Sequence, residues 1–176
     1  CSSSRSEWPL PSWRSCSFLP KVGRSNVDVH ILEQTQEGPF NKGALFNVGY
    51  HISKDTSDYM VLHDVDHIPG NEENNYAYRE EPTHMCVRTS QFNYQNVHQA
   101  SLGGAFMITM SDYKNINGYS NLFLGWGGED DNFGERVGDR MQKLSPSVGH
   151  YKALDHKRTM GLDETPLFKN HPTSDL

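Results

Sequence analysis

Residues 59–66 read Tyr59-Met60-Val61-Leu62-His63-Asp64-Val65-Asp66, an apolar run that ends in two carboxylates separated by one residue. A short apolar run between polar residues predicts a buried strand, so Asp64 and Asp66 would lie where the chain leaves a sheet, which is where open α/β sheets bind ligands. Two carboxylates so close repel one another unless a cation or hydrogen-bond donors compensate, and a divalent metal is the simplest compensation. A strand followed by an acidic turn is the alternative, because short motifs recur freely.

The second informative stretch reads Leu124-Gly125-Trp126-Gly127-Gly128-Glu129-Asp130-Asp131. Its glycines suit a backbone that turns tightly and lets a ligand approach, and the indole of Trp126 offers a flat apolar face of the kind that stacks on sugar rings. The three acids favour the start of a helix, Glu129–Val137, because the helix dipole stabilises negative charge there. A solvated helix start would explain the acids, but it does not explain the tryptophan.

Together the two stretches resemble the β-1,4-galactosyltransferase family. His63-Asp64-Val65-Asp66 with Ile68-Pro69, followed by Gly-Trp-Gly-Gly-Glu-Asp-Asp at residues 125–131, matches the family's two acidic motifs in order and spacing. Residues 40–49, Phe-Asn-Lys-Gly-Ala-Leu-Phe-Asn-Val-Gly, resemble its Phe-Asn-Arg-x-x-Leu-x-Asn-Val-Gly segment, and Gly103-Gly104 and Asn117-Gly118 match two further landmarks. The resemblance runs from residue 27 to residue 137.

The resemblance implies a GT-A type nucleotide-sugar fold, an α/β fold with a Rossmann-like, mostly parallel sheet flanked by helices. The patterns agree, because a strand over 27–32, a helix over 41–50 capped by Asn41 and a central strand over Tyr59–His63 would form a βαβ unit with parallel strands. Further short elements are predicted as strands at 85–87 and 105–110, a helical turn capped by Ser111, and a strand and loop within 149–156.

We expect three parts in the 176-residue chain: an irregular N-terminal segment, 1–26, a galactosyltransferase-like catalytic domain, 27–158, and a mobile C-terminal tail, 159–176. The family begins with a strand that ends in Pro-Phe-Arg-x-Arg, and residues 1–26 do not match it. The sheet is therefore expected to lack its first strand or to receive it from sequence outside this chain.

Charge and composition limit the classes of partner that the chain is expected to bind. A formal charge of -6 without a basic block argues against nucleic acid as the main partner, and no run approaches the length of a membrane-spanning helix. Because the resemblance implies a Golgi lumen location with a membrane anchor, we expect a fragment, an unusual gene product or a soluble relative. Three cysteines allow at most one intramolecular disulfide and do not decide the redox compartment.

The resemblance implies a metal site for Mn²⁺ or another divalent cation, with Asp66 and His156 as ligands. The family's third ligand is a methionine or a second histidine, and the two positions hold Ala153 and Arg158 here. We expect weakened metal affinity unless His150 or water completes the site. An exposed surface histidine is the alternative for His156. His63 and His67 match no family ligand, and we expect them to be supporting or incidental.

For catalysis the resemblance assigns Asp130 as the general base on the acceptor hydroxyl, with Glu129 and Asp131 orienting the acceptor and donor hydroxyls. It places Trp126 over the sugars, on a loop that closes after the donor binds. The implied nucleotide-sugar contacts are Phe40, Asn41, Lys42, Asp64 at the ribose, Val65, Gly104 and Trp126. The implied acceptor contacts are Trp126, Gly127, Glu129 and Asp131.

The expected reaction is metal-dependent, inverting transfer of galactose from UDP-galactose to the 4-hydroxyl of N-acetylglucosamine or xylose on a glycoprotein, proteoglycan or glycolipid. His63-Asp64-Val65-Asp66 and Tyr151-Lys152 favour the xylose-acting branch, whereas Gly128 favours the N-acetylglucosamine-acting branch.

By the resemblance, Ser101 stands where the family usually has an aromatic residue, most often tyrosine, and we expect it to influence the choice of donor sugar. The smaller side chain is expected to admit UDP-N-acetylgalactosamine as readily as UDP-galactose, unless Leu102 or Tyr94 fills the gap.

Two other functions stay open. One is a catalytically weakened sugar- or nucleotide-binding relative of the family. The other is a calcium-binding interaction domain, against which the absence of EF-hand ligand spacing argues.

Overall fold

The computed structural model describes residues 27–35, 38–95 and 102–155. Within these ranges the chain forms three α-helices and seven short strands. The helices are α1 (Lys42–Ser53), α2 (Met110–Asn115) and α3 (Glu129–Val137), and short 3₁₀ turns span Ser90–Phe92 and Gly138–Arg140. The strands are β1 (Tyr59–His63), β2 (His67–Pro69), β3 (Thr83–His84), β4 (Arg88–Thr89), β5 (Ala105–Thr109), β6 (Gln142–Lys143) and β7 (His150–Ala153).

The strands form two sheets, one ordered β1-β5-β3-β6 and the other ordered β2-β7-β4. The mixed α/β fold predicted from the sequence is confirmed. The expectation of a mostly parallel sheet is wrong for the described strands, because β1–β5, β3–β5 and β2–β7 are antiparallel and only β3–β6 and β4–β7 are parallel. Strand β1, expected at the centre, lies at the edge of the described sheet.

The predicted strand at 27–32 is not formed. Its alternating pattern fits a strand, but the side chains of Val27, Val29 and Ile31 are exposed and no described strand pairs with the segment. A strand requires a neighbouring backbone to take up its N–H and C=O groups. Without that partner the expected βαβ unit does not exist in the described part of the chain.

Helix α1 confirms the predicted helix and its cap. Asn41 Oδ1 accepts a hydrogen bond from the backbone N–H of Ala44 at 2.9 Å, which satisfies one of the free donors of the first turn. The cap of α2 was predicted wrongly at Ser111. Thr109 caps this helix instead, because its Oγ1 accepts from the N–H of Asp112 at 3.0 Å and β5 ends one residue earlier than expected.

The segment predicted as a strand, 85–87, connects the two sheets and is not itself a strand. Met85 N–H donates to Ala105 O at 2.9 Å on one side, and Val87 N–H donates to Gly149 O at 2.8 Å on the other. The strands β3 and β4 therefore flank the predicted segment. The strand predicted within 149–156 is confirmed as β7, whereas β2 and β6 were not predicted.

Strand β5 is buried on both faces, and its two-residue period divides the core. Phe106 and Ile108 belong to a cluster with Tyr113, Phe133 and other residues of the helical layer. Ala105 and Met107 point to the opposite side, into a second cluster that includes Tyr151 of β7. The end of β1, which carries Asp64, is thus held between a helical layer and the second sheet. No helix in the described ranges is long and apolar enough to cross a membrane.

We predict that Gly43→Ala destabilises the protein although alanine normally favours a helix. A Cβ at Gly43 would lie 2.5 Å from the backbone oxygen of Ser120, so the first turn of α1 would have to move. We expect the free energy of unfolding, measured by urea denaturation, to fall by about 2 kcal/mol. Gly49→Ala in the same helix is the control. Its Cβ would meet only the terminal methyl of Leu32 at 3.0 Å, so we expect a change between zero and a gain of about 1 kcal/mol. Equal effects of the two substitutions would contradict the prediction.

Candidate active site

The ammonium group of Lys42 joins three of the predicted site residues. Its Nζ lies 3.0 Å from Asp64 Oδ1, 2.9 Å from Asp130 Oδ2 and 3.8 Å from Glu129 Oε1. Burial opposes the positive charge, but the carboxylates of Asp64 and Asp130 outweigh it and the pKa of Lys42 is raised. The end of β1 and the start of α3 are therefore linked through the start of α1.

Asp130 receives hydrogen bonds from two directions. Lys42 Nζ donates to both carboxylate oxygens, at 3.1 and 2.9 Å, and the hydroxyl of Tyr119 donates to Oδ1 at 3.0 Å. The ring of Tyr119 is buried and stacks on Phe133 with 4.0 Å between centroids. Burial and the nearby Asp130 charge raise the pKa of Tyr119 well above its usual value, so the hydroxyl keeps its proton and acts as a donor.

Glu129 lies at the first position of α3, beside Asp130. Its Oε2 accepts a hydrogen bond from the backbone N–H of Gly127 at 3.1 Å. Burial and repulsion from Asp130 raise the pKa of Glu129, although the Lys42 charge acts in the opposite direction. This carboxyl group therefore keeps its proton to a higher pH than an exposed glutamate.

A two-glycine loop, Gly103–Gly104, lies against Asp64 and Asp130. Gly104 N–H donates to Asp64 Oδ2 at 3.0 Å, and a Cβ at Gly103 would stand 3.0 Å from Asp130 Oδ2. Gly104 has φ +92°, and a Cβ there would meet the Cys86 sulfur at 2.5 Å, so a side chain has no room. The loop thus brings backbone directly against both carboxylates.

Buried His84 and Cys86 support this loop. His84 Nε2 donates to Gly103 O at 3.1 Å, and burial lowers the pKa of His84 to about 4, so the ring is neutral at physiological pH. Cys86 is a free thiol whose pKa is raised to about 12 by burial and by the charges of Asp64 and Asp66. Neither side chain is in a state suited to acid–base or nucleophilic chemistry at neutral pH.

Asp64 also belongs to a second cluster, with Asp66 and His67. One potential ligand atom from each residue lies within 4.8 Å of the others, and His67 Nδ1 is 2.8 Å from Asp66 Oδ1. The two carboxylates supply the hard oxygen donors that suit Mn²⁺, and the imidazole supplies a borderline nitrogen donor that divalent transition metals accept. The donor chemistry therefore fits the divalent cation implied by the sequence.

The tryptophan loop precedes α3. Gly125, Gly127 and Gly128 all have positive φ, between +83° and +103°, and Gly125 N–H donates to Phe40 O at 2.7 Å. Trp126 is 72 % exposed. Glycine allows the backbone to adopt these angles without strain, and the result is a large aromatic surface presented to solvent beside the acids.

The remaining predicted residues differ in their placement. Phe40 and Val65 are exposed, and so is Asp131, on the outer side of α3. The amide of Asn41 is engaged by the α1 cap and donates to Asn121 O at 2.9 Å. His156 and Ser101 lie outside the described residues, so their predicted roles stay predictions.

One residue at the site was missed by sequence reasoning, and a second was given only a general role. Tyr119, the donor to Asp130, directly follows the Asn117-Gly118 landmark, and a hydroxyl at this position was the available signal. His67 was expected to be supporting or incidental, and the structure places it in direct contact with Asp66. Its position immediately after the second acid was the available signal.

Family models match most of the chain. The model described as "N-terminal region of glycosyl transferase group 7" matches residues 17–79, and the model described as "N-terminal domain of galactosyltransferase" matches residues 83–157. β-1,4-Galactosyltransferase 5 of Danio rerio is 37% identical over 146 residues, and β-1,4-galactosyltransferase 6 of Homo sapiens is 36% identical over 146 residues. Each alignment covers 79% of this chain but 38% of the relative, so the chain spans less than half the length of these relatives.

Solved structures agree with the fold. The catalytic domain of Drosophila β1,4-galactosyltransferase 7, in complex with xylobiose, aligns with a TM-score of 0.67 and 29% identity, covering 82% of this chain and 63% of that chain. A mutant of the Drosophila enzyme, in complex with manganese, UDP-Gal and xylobiose, aligns with a TM-score of 0.70 at 24% identity, covering 92% and 73%. The GT-A type fold expected from the sequence is confirmed.

We predict that Lys42→Met lowers the free energy of unfolding by about 3 kcal/mol at pH 7, because the carboxylates around it lose their buried cation. The Lys42 charge lowers the pKa of Glu129, so without it that pKa rises further, Glu129 takes up a proton at a higher pH, and the deficit shrinks as the pH falls towards about 4. Urea denaturation at both pH values measures this. Lys54→Met, which removes an exposed partner of Asp55, is the control and should change stability little at either pH. A deficit that stays constant with pH would contradict the prediction.

Proposed function

Because the chain belongs to the β-1,4-galactosyltransferase family, we propose that it transfers a sugar from a UDP-sugar to the 4-hydroxyl of an acceptor sugar, with inversion at the anomeric carbon. The observation that carries the proposal is the environment of Asp130. This carboxylate lies at the start of α3, beside an exposed tryptophan and against the Gly103–Gly104 loop. Family membership supports the Golgi lumen as the location.

Asp130 is proposed as the general base. A carboxylate oxygen accepts more than one hydrogen bond, so Asp130 retains acceptor capacity beside its bonds to Lys42 and Tyr119. These two donors fix the orientation of the group, which would take the proton of the acceptor hydroxyl as the new glycosidic bond forms. Glu129 and Asp131 would orient the hydroxyls of the acceptor and donor, and Gly127 would contact the acceptor.

The donor would bind between the acids and the start of α1. Asp66 is proposed as a ligand of Mn²⁺ or another divalent cation, with His156 as a second ligand, and the bound cation would neutralise charge on the diphosphate leaving group. Asp64 is proposed to contact the ribose. Phe40, Asn41, Lys42, Val65 and Gly104 are proposed to line the nucleotide-sugar path, and Trp126 is proposed to cover the sugars.

The acceptor is proposed to be N-acetylglucosamine or xylose on a glycoprotein, proteoglycan or glycolipid. The exposed Trp126 supports a sugar acceptor, because the aromatic face of an indole packs against the C–H groups of a sugar ring. One Drosophila relative was solved with xylobiose, which supports including xylose among the acceptors tested.

A catalytically weakened relative that binds UDP-sugar without turnover is the second candidate. Ala153 in place of a family metal ligand favours it, because the side chain of alanine supplies no donor atom. UDP titration with and without Mn²⁺, followed by a transfer assay, separates the two functions. Metal-dependent UDP binding with transfer supports the transferase, and the same binding without transfer supports the weakened relative.

We predict that Asp130→Asn reduces transfer by at least about 100-fold while donor binding changes little, because an amide cannot accept the hydroxyl proton. Transfer from UDP-galactose to N-acetylglucosamine and to a xyloside, together with UDP titration, measures both properties. Asp139→Asn is the matched control, since Asp139 is exposed beyond the end of α3 and should leave transfer unchanged. Wild-type turnover in Asp130→Asn would remove Asp130 from catalysis.

We predict that wild-type protein uses UDP-N-acetylgalactosamine about as well as UDP-galactose, and that Ser101→Tyr shifts the preference to galactose. A tyrosine would restore bulk near the donor, and pocket size discriminates between substrates by a few kcal/mol at most. Competition of the two donors in one assay gives the ratio directly. A strong galactose preference in wild type that Ser101→Tyr leaves unchanged would show that Ser101 does not select the donor.

A further inference from the structure

The antiparallel pair of β2 and β7 places His67 directly opposite Ala153. On either side of this pair, Leu154 N–H donates to Asp66 O at 2.7 Å and Gly70 N–H donates to His150 O at 2.9 Å. Hydrogen-bonded and non-bonded residue pairs alternate along an antiparallel ladder, so His67 and Ala153 form a non-bonded pair with Cα atoms about 4.5 Å apart.

A separate contact agrees with this alternation. The N–H of Ala153 points away from β2 and donates to Ser90 Oγ at 2.9 Å, as expected for a residue that does not bond to its opposite partner. Residues directly opposite one another in an antiparallel pair project their side chains to the same face. The imidazole of His67 and the methyl group of Ala153 therefore share one side of the ladder.

The imidazole is held beside Asp66. Its Nδ1 lies 2.8 Å from Asp66 Oδ1, and its side chain is only 9% exposed. The ring of Tyr151 packs nearby with 6.4 Å between centroids, and a Cβ at Gly104 would stand 3.5 Å from His67 Cδ2. These neighbours restrict the ring to the position in which a nitrogen faces the carboxylate.

We propose that His67 is a protein ligand of the divalent cation and supplies the donor that is missing at Ala153. The inference rests on the proposed function, which requires a cation at Asp66. A small side chain at 153 leaves room on this face of the ladder, and the imidazole opposite it brings a nitrogen donor to the same carboxylates. The proposed site then has Asp66 and His67 as ligands, with Asp64 close to them.

Binding of Mn²⁺ alone, followed in the full chain by electron paramagnetic resonance, tests this without an activity assay. We expect His67→Ala to weaken binding at least tenfold, since removing even a residue that only supports a ligand typically costs about 10- to 100-fold in metal affinity. His67→Phe keeps a ring in place without a nitrogen and should weaken binding equally. His51→Ala, which removes an exposed histidine of α1, should leave binding unchanged.

Moving the imidazole from position 67 to position 153 provides a stricter test. Because the two positions share one face, His67→Ala/Ala153→His should recover most of the lost affinity. Spin-echo modulation from imidazole nitrogen on bound Mn²⁺ should persist in His156→Ala and disappear in His67→Ala/His156→Ala. Persistence of that modulation in the double variant would overturn the assignment of His67.

The variant Asp66→Ala separates the inference from the proposed function. If Asp66→Ala abolishes Mn²⁺ binding and both His67 variants bind as wild type, His67 is not a ligand and the proposed metal site survives. If Asp66→Ala also binds as wild type, the metal site of the proposed function fails, and the role of His67 fails with it. Loss of Mn²⁺ binding in the Asp66 and His67 variants, with recovery in His67→Ala/Ala153→His, supports both the proposed metal site and the role of His67.

Discussion

The contact of one ammonium group with Asp64 and Asp130 is the interaction on which the site depends. The two carboxylates come from segments that are distant in sequence, the end of β1 and the start of α3, and each would repel the other. Removing a lysine from water is unfavourable, but these two charges outweigh that cost and the pKa of Lys42 is raised. The positions of the helix and the strand therefore depend on one cation from the first residue of α1. Lysine suits this position because its compact ammonium group can face carboxylates in several directions, whereas the planar fork of arginine favours one bidentate partner.

Helix α1 also orients the Asp130 carboxylate through a second set of hydrogen bonds. Asn47, in the second turn of α1, accepts hydrogen bonds at its Oδ1 from the Tyr113 hydroxyl at 2.7 Å and from the Tyr119 backbone N–H at 3.0 Å. Its amide nitrogen donates to Tyr119 O at 2.9 Å. The segment that carries Tyr119 is thus fixed to α1, and the Tyr119 hydroxyl reaches Asp130 from the side of the helical core. Helix α1 therefore positions both hydrogen-bond donors, Lys42 and Tyr119, against the proposed base. This support gives the carboxylate a defined orientation in a site that is rich in loops.

Features encoded within a few residues were predictable from the sequence, and features that depend on distant partners were not. Strand β1, helix α3 and the Asn41 cap follow from local periodicity, charge at a helix start and side-chain capping. The family motifs also brought Asp64, Lys42 and Asp130 into one hypothesis, and the structure places them in contact. The strand at 27–32 and the parallel βαβ unit failed because periodicity reports which faces are apolar, not whether a neighbouring strand is present. The place of His67 opposite Ala153 could not be predicted for a similar reason, since it depends on a strand register that no local pattern specifies.

Asp64 connects the two halves of the site. It lies 3.0 Å from the Lys42 ammonium group and also belongs to the cluster with Asp66 and His67, so its charge is shared between an internal cation and the proposed metal position. A cation bound at Asp66 would attract the Asp64 carboxylate and so compete with the Lys42 ammonium group for its negative charge. Lys42 would then interact relatively more strongly with Asp130. Such coupling is reciprocal, because any effect of metal binding on the Lys42–Asp130 pair implies an equal effect of that pair on metal binding. The proposed metal position and the proposed base would therefore be coupled electrostatically through one carboxylate at the end of β1.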